Sequence, residues 1–209
     1  MHNIHYFFDP MCGWCYAASP LLQKLAQSDQ FDIHYYPGGM IPKRAIDPGF
    51  RQHIVQADQR IASLSKVEFG KKYQQRVTAN GEFILDSYLT TQAFWAGQTL
   101  GINAHDMLQH LQQAHYIEGM PLHQEDHLQA FAAQLGIEES TWQAAMQQVK
   151  KDSLKNIQDN QQRMSTWQVS GFPTLFLQQK DRLIRLQHSQ YYGQPDAFMA
   201  HLTAQLDHQ

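Results

Sequence analysis

The chain has only two cysteines, Cys12 and Cys15, in 209 residues. A framework of several disulfides is excluded, so an ordinary hydrophobic core must carry the stability, and a chain of this length is long enough to bury one. Charge is also sparse. Sixteen Lys and Arg against 19 Asp and Glu leave a formal net charge of −3. That is no basic excess for a phosphate backbone, and a dedicated nucleic-acid binder is not expected. No apolar run approaches the ~20 residues a membrane-spanning helix needs, so no membrane partner is expected either. The start, Met1-His2-Asn3-Ile4-His5-Tyr6-Phe7-Phe8-Asp9, lacks the basic residues, long apolar stretch and small-residue cleavage site of a leader. A cytoplasmic location is expected. What is present is apolar: 43% hydrophobic against 17% charged residues, a balance incompatible with wholesale disorder.

The hydrophobic pattern changes period twice along the chain. Ile4, Tyr6 and Phe8 alternate as in a strand, which Asp9-Pro10 stops. A helix is predicted from Cys12-Gly13 to about Ser28, with Leu21, Leu22 and Leu25 on its buried side and a kink at Pro20. A second strand follows at Phe31–Tyr36 and ends at Pro37-Gly38-Gly39. Strand, helix, strand is the signature of a βαβ unit with parallel strands. The middle reads as helices over about 49–64, 87–100, 104–116, 125–135, 139–149 and 153–167. Ser65-Lys66-Val67-Glu68 has the form of a capping box that starts one more helix, and Ser87 suits the cap of the helix ending at Gly101. The end returns to strands, at 174–177 and 183–186 around a polar turn. A last helix then starts at Pro195, with Phe198, Leu202 and Leu206 on one face. The expected organisation is an α/β domain from residues 1–45 and 168–209, with residues 46–167 as an all-helical insertion.

Cys12-Gly13-Trp14-Cys15 carries the chemistry. In a reducing compartment a structural disulfide is not expected, so the pair calls for another role. A C-x-x-C pair beside a βαβ pattern reads as a redox dithiol. It lies where a strand ends and a helix begins, and the free N–H groups and partial positive charge there favour a thiolate. Two intervening residues bring the sulfurs together across the first helical turn. Cys12, at the outer end, is the nucleophile expected; Cys15, one turn deeper, is the resolving thiol. The same spacing supplies half of a tetrahedral zinc site, but histidines would have to complete it. Of the 12 histidines, His123 and His127 enclose Gln124 where a zinc peptidase has a glutamate, and His105, His110 and His115 rotate around their helix. The histidines are read as solvated, and no metal or organic cofactor is expected.

Phe7-Phe8-Asp9-Pro10-Met11-Cys12-Gly13-Trp14-Cys15-Tyr16 resembles the active-site segment of DsbA-like thiol–disulfide oxidoreductases, in particular the cytoplasmic FrnE-like and protein-disulfide-isomerase-like branch. Val169-Ser170-Gly171-Phe172-Pro173-Thr174 is similar to the family's V-x-G-x-P-T element. A further match is Tyr116-Ile117-Glu118-Gly119, and Pro20 matches the kink proline of thioredoxin-type active-site helices. The resemblance implies a thioredoxin-like fold with a helical insertion and a cis bond before Pro173, facing the cysteines. A cis X–Pro bond costs only ~0.5–1 kcal/mol, and it leaves the preceding backbone groups free to dock an extended peptide. Gly171, Phe172 and Pro173 are thereby candidate substrate-binding residues. Trp14 joins them as part of an apolar rim or, equally, as helix packing. The implied partners are thiol- or disulfide-bearing proteins and peptides, or glutathione as reductant or co-substrate.

This chain departs from the pattern in having uncharged Gly13-Trp14 where several relatives carry a histidine, and Phe172 where Val or Thr is common. The departures leave oxidant, reductant and isomerase all open. The same fold also serves kappa-class glutathione transferases and 2-hydroxychromene-2-carboxylate isomerases, which typically use a serine where Cys12 stands. Asp9 is read as a cap on the turn after the first strand, with an influence on proton transfer at Cys15 as the alternative.

Overall fold

The computed structural model describes residues 1–207. His208 and Gln209, the last two residues of the expected 168–209 segment, lie outside the described residues. Strand β1 (His2–Phe8) pairs in parallel with β2 (Phe31–Pro37), placing Tyr6 opposite Tyr35 and Phe8 opposite Pro37. On its other side β1 runs antiparallel to β5 (Thr174–Gln179), which pairs with β6 (Arg182–Arg185). The order β2-β1-β5-β6 therefore joins both ends of the chain in one sheet. This is the thioredoxin-like α/β arrangement, with the helical block inserted between β2 and β5.

The sheet has two covered faces because its strands are apolar on both sides. Ile4, Tyr6, Phe8, Leu175 and Leu177 belong to the main core, together with Leu21, Leu22 and Leu25 of α2 (Ser19–Ala26) and Phe198 and Leu202 of α9 (Pro195–Asp207). The opposite face carries Phe7 and Phe176 beneath Met164, Trp167 and Phe172. Trp167 stands edge-on to both Phe7 and Phe176, at 5.5 and 5.7 Å between ring centres.

The helical block comprises α3 (Pro48–Ser65), α4 (Lys71–Thr78), α5 (Ser87–Thr99), α6 (Ala104–Tyr116), α7 (Glu125–Gln134) and α8 (Glu139–Thr166). It departs from the sequence expectations at several points. Ser65 opens no helix: it closes α3, its hydroxyl donating to Ile61 O, and Lys66 takes a left-handed φ of 65°. The next helix starts only after Gly70. Asp86, not Ser87, caps α5 by accepting from Leu89 N, which frees the Ser87 hydroxyl for another partner. The helices expected at 139–149 and 153–167 are one continuous α8. Lys150-Lys151-Asp152 is an exposed polar stretch rather than a break, and buried Ser153 donates to Lys150 O. A two-residue ladder of β3 (Arg44–Ala45) with β4 (Ile84–Leu85) is too short to show alternation in sequence. The solvated reading fails for His5, His105, His115, His123 and His188, which are buried. Burial first, and Arg76 second, push His115 down to about 3, so it is carried uncharged in the core.

Helices α4 and α6 meet through a glycine. Gly70 N donates to Tyr116 O at 2.8 Å, and a Cβ on Gly70 would lie 2.0 Å from Ile117 O. Backbone cannot yield as a side chain does. Gly70→Ala is expected to destabilise the protein by about 2 kcal/mol, lowering the thermal midpoint in a calorimetric scan by roughly 4–8 °C.

Candidate active site

The turn after β1 is held by one buried carboxylate. Asp9 Oδ1 accepts from Met11 N at 2.9 Å and from the Ser87 hydroxyl at 2.8 Å, and Oδ2 accepts from Met40 N at 2.7 Å. Burial pushes its carboxyl up, and these bonds oppose that rise. Asp9 therefore does more than cap its own turn: it ties the cysteine segment to the loop after β2 and to the start of α5. Its carbonyl accepts from Cys12 N at 3.1 Å, which aims the chain into α1 (Gly13–Ala17).

Cys12 occupies the N-cap of α1, and its Sγ accepts from Cys15 N at 3.3 Å. The predicted single kinked helix is in fact two, α1 and α2, divided at Ala18. Pro20 has no N–H to offer the Tyr16 carbonyl one turn back, so it enters the first turn of a new helix instead. Cys12 is 6% exposed and Cys15 1%. Burial, then the hydrogen bond and charge of Cys12, push the Cys15 thiol well above its usual range. Both cysteines are free thiols. The Tyr6 hydroxyl is buried behind them. Burial first, then Cys15 and Cys12, push it well above its usual range.

The Phe172–Pro173 bond is cis. Cys12 Sγ lies 3.8 Å from Phe172 O, within reach of an S–H donor. Thr174 Oγ1 donates to Gly171 O at 2.8 Å and fixes the loop. The Phe172 ring fits only because residue 38 has no side chain: a Cβ on Gly38 would sit 2.3 Å from Phe172 Cζ and 3.1 Å from Met164 Sδ. No such crowding exists at Gly171, where a Cβ would meet open space. Trp14 stacks on Tyr192 with ring centres 5.9 Å apart, and the Arg60 guanidinium lies 5.9 Å from its ring centre. Trp14, Phe172, Pro173, Arg60 and Tyr192 border a groove of about 480 Å³. Trp14 thus serves in packing and also faces the groove.

A second, more apolar pocket of about 170 Å³ is lined by Cys12 itself and opens between the active-site turn and α3, α4 and α6. A Cβ on Gly13 would come within 3.1 Å of Ile61 Cδ1, 3.3 Å of Asp58 Oδ1 and 4.0 Å of Tyr116 Oη. Of the Tyr116–Gly119 segment, Tyr116 is brought beside the cysteine turn, while Gly119 packs on the Lys72–Tyr73 backbone of α4. Asp58, Tyr6 and the Asp9–Ser87 bond were missed in sequence. Tyr6 shares the inward phase of Ile4 and Phe8, but Asp58 has no local signal. Among the described residues no three His, Cys, Asp or Glu side chains cluster as a metal site would require, and no helix is long and apolar enough to cross a membrane.

Comparison with known proteins agrees with this geometry. Residues 3–194 match the DSBA-like thioredoxin domain, and the chain belongs to that family. The cytosolic disulfide reductase DsbM from Pseudomonas aeruginosa is 33% identical, covering 99% of this chain and all of its own, with a TM-score of 0.89. DsbM with GSH superposes with a TM-score of 0.87 at 32% identity, covering 98% of this chain and 99% of its own. A 2-hydroxychromene-2-carboxylate isomerase shares the fold at 16% identity, with a TM-score of 0.62 over 98% of both chains. No curated protein matches the chain. The protein is thus a DsbA-like oxidoreductase with Cys12 and Cys15 as its C-x-x-C pair.

Two substitutions test how the site is positioned. Asp9→Ala leaves Met11 N, Met40 N and the Ser87 hydroxyl without their acceptor. It should cost about 1–3 kcal/mol for each buried donor left unpaired, read as a fall in the urea midpoint. Gly38→Ala should displace Phe172 and lower turnover of a disulfide substrate about tenfold or more. Alkylation of Cys12 by iodoacetamide should meanwhile stay within about threefold of the parent rate, because the Cys15 N–H is untouched.

Proposed function

We propose that the protein is a cytosolic disulfide reductase that exchanges thiols with glutathione or with glutathione- and disulfide-bearing peptides. The single observation that carries this is the asymmetry of the pair. Cys12 sits at the head of α1 with a backbone N–H on its sulfur, and Cys15 is sealed beneath it. Kinship with a reductase crystallised with GSH favours the reducing direction.

In this reading the Cys12 thiolate attacks one sulfur of a substrate disulfide. The S–S bond breaks, a Cys12–substrate disulfide forms, and the other half leaves as a thiolate that takes up a proton. Cys15 then gives up its proton and attacks Cys12 Sγ. The substrate thiol departs, and the pair is left oxidised by two electrons. Two molecules of glutathione restore the dithiol and leave as glutathione disulfide. Phe172 and Pro173 dock the substrate backbone alongside Cys12, with Trp14 bordering the groove and Gly171 holding the loop through its carbonyl. The thioredoxin-like parts, 1–45 and 168–209, bear the chemistry, and the 46–167 insertion walls the cysteines from solvent.

Cys15→Ser should trap the Cys12–substrate disulfide, visible by mass as one added glutathione after treatment with glutathione disulfide. Cys12→Ser should bind none. Trapping on Cys15 alone, or full turnover in both variants, contradicts the assignment. Transferase activity that survives Cys15→Ser would point instead to glutathione conjugation on the same fold. Because the Cys15 thiol lies well above its usual range, the resolving step should slow as pH falls. In the unmutated protein the mixed disulfide should therefore accumulate more at pH 6 than at pH 8.5, measured by acid quench and alkylation.

A further inference from the structure

Asp58 is a buried carboxyl that the exchange steps above leave without a role. It projects from the middle of α3 into the apolar pocket shared with Cys12 and Gly13, and it is 9% exposed. Its two oxygens are treated differently. Oδ2 accepts from the Tyr73 hydroxyl at 2.8 Å. Oδ1 has no protein donor among the described residues and points at the active-site turn, 3.3 Å from where a Cβ of residue 13 would be. Asp9 shows the contrast: a buried carboxylate placed for architecture is bonded at both oxygens. Asp58 instead leaves Oδ1 open to the pocket. Gly13 matters here, because any larger residue would stand between Asp58 and the cysteine turn.

The groups that face Asp58 are few. Tyr73 comes from α4, Tyr116 and the uncharged His115 from α6, Cys12 from the active-site turn, and His53 from its own helix. Arg76 lies beyond Tyr73 and acts on it. Burial raises the Asp58 carboxyl to about 7, against the opposing hydrogen bond from Tyr73. A carboxyl in that range both accepts and returns a proton near neutral pH.

We propose that Asp58 is the proton-exchange group for Cys12, taking the thiol proton as Cys12 attacks and returning it to the thiolate that leaves. The assignment rests on Cys12 being the attacking thiol. In the first half-reaction, Cys12–SH and the Asp58 carboxylate become the Cys12 thiolate and the Asp58 carboxylic acid. The thiolate forms a bond to one substrate sulfur, and the substrate S–S bond breaks. The Asp58 proton then passes to the departing thiolate, which leaves as a thiol, and Asp58 is again a carboxylate. No outside proton or electron is consumed in this half.

The test is the single-turnover oxidation of the reduced protein by hydroxyethyl disulfide between pH 5.5 and 9.5. The parent rate should rise through an inflection near neutrality, where Asp58 loses its proton. Asp58→Asn should lose that inflection, running about tenfold or more slower at pH 7 yet within about twofold of the parent at pH 9.5. Tyr73→Phe keeps the carboxyl and removes the bond that lowers its pKa, so the inflection should move to higher pH. That variant decides the matter if Asp58→Asn does not fold. Identical profiles, or a loss by one constant factor at every pH, would overturn the role of Asp58 while leaving Cys12 exchange intact. No oxidation of the parent protein at any pH would overturn both.

Discussion

Cys12 Sγ accepts the amide of Cys15 at the head of a helix only five residues long, and the rest of the site is arranged around that contact. A long straight helix would carry the N–H of residue 20 back to the Tyr16 carbonyl. Proline at that position forbids the bond, and the chain breaks at Ala18 into α1 and α2. The short α1 still offers unpaired N–H groups to the sulfur, while α2 turns its leucines into the sheet. Local covalent chemistry at Pro20 thus sets the angle at which the cysteines are presented.

Two separate parts of the chain close on that helix mouth. The loop ending in Pro173 brings the Phe172 carbonyl to 3.8 Å from Cys12 Sγ, and Gly38 at the end of β2 makes room for the Phe172 ring. The helical block supplies Ser87 to Asp9 on one side and Ile61, Asp58 and Tyr116 around Gly13 on the other. The insertion is therefore part of the site and not an appendage to it. Gly13, with no side chain, keeps the pocket open to a carboxyl from α3.

Much of this was legible in the residues. Alternation in β1, the C-x-x-C pair at the strand–helix junction, Pro20, and the G-x-P-T element before the last strands all act through near neighbours in sequence, and they gave the fold and the two cysteines. Contacts that depend on distant pairings were not legible. Ser87 looks like a helix cap from its local context, yet Asp86 takes that place and Ser87 reaches Asp9. Asp58 sits among polar residues on what reads as a solvated helix face, and only the packing of α3 against α1, α4 and α6 buries it. His115 was misread for the same reason. The stretch 150–152 looked like a break because a helix face exposed to water and a loop share one composition.

The central claim is that Cys12 and Cys15 form one reversible two-electron couple that donates electrons. It is tested most directly by equilibrating the protein in glutathione redox buffers and counting alkylated thiols by mass. The account predicts a single transition in which both cysteines disappear together, at a potential closer to about −270 mV than to about −120 mV. Independent titration of the two thiols would contradict the couple, and a potential at the oxidising end would contradict the reducing direction.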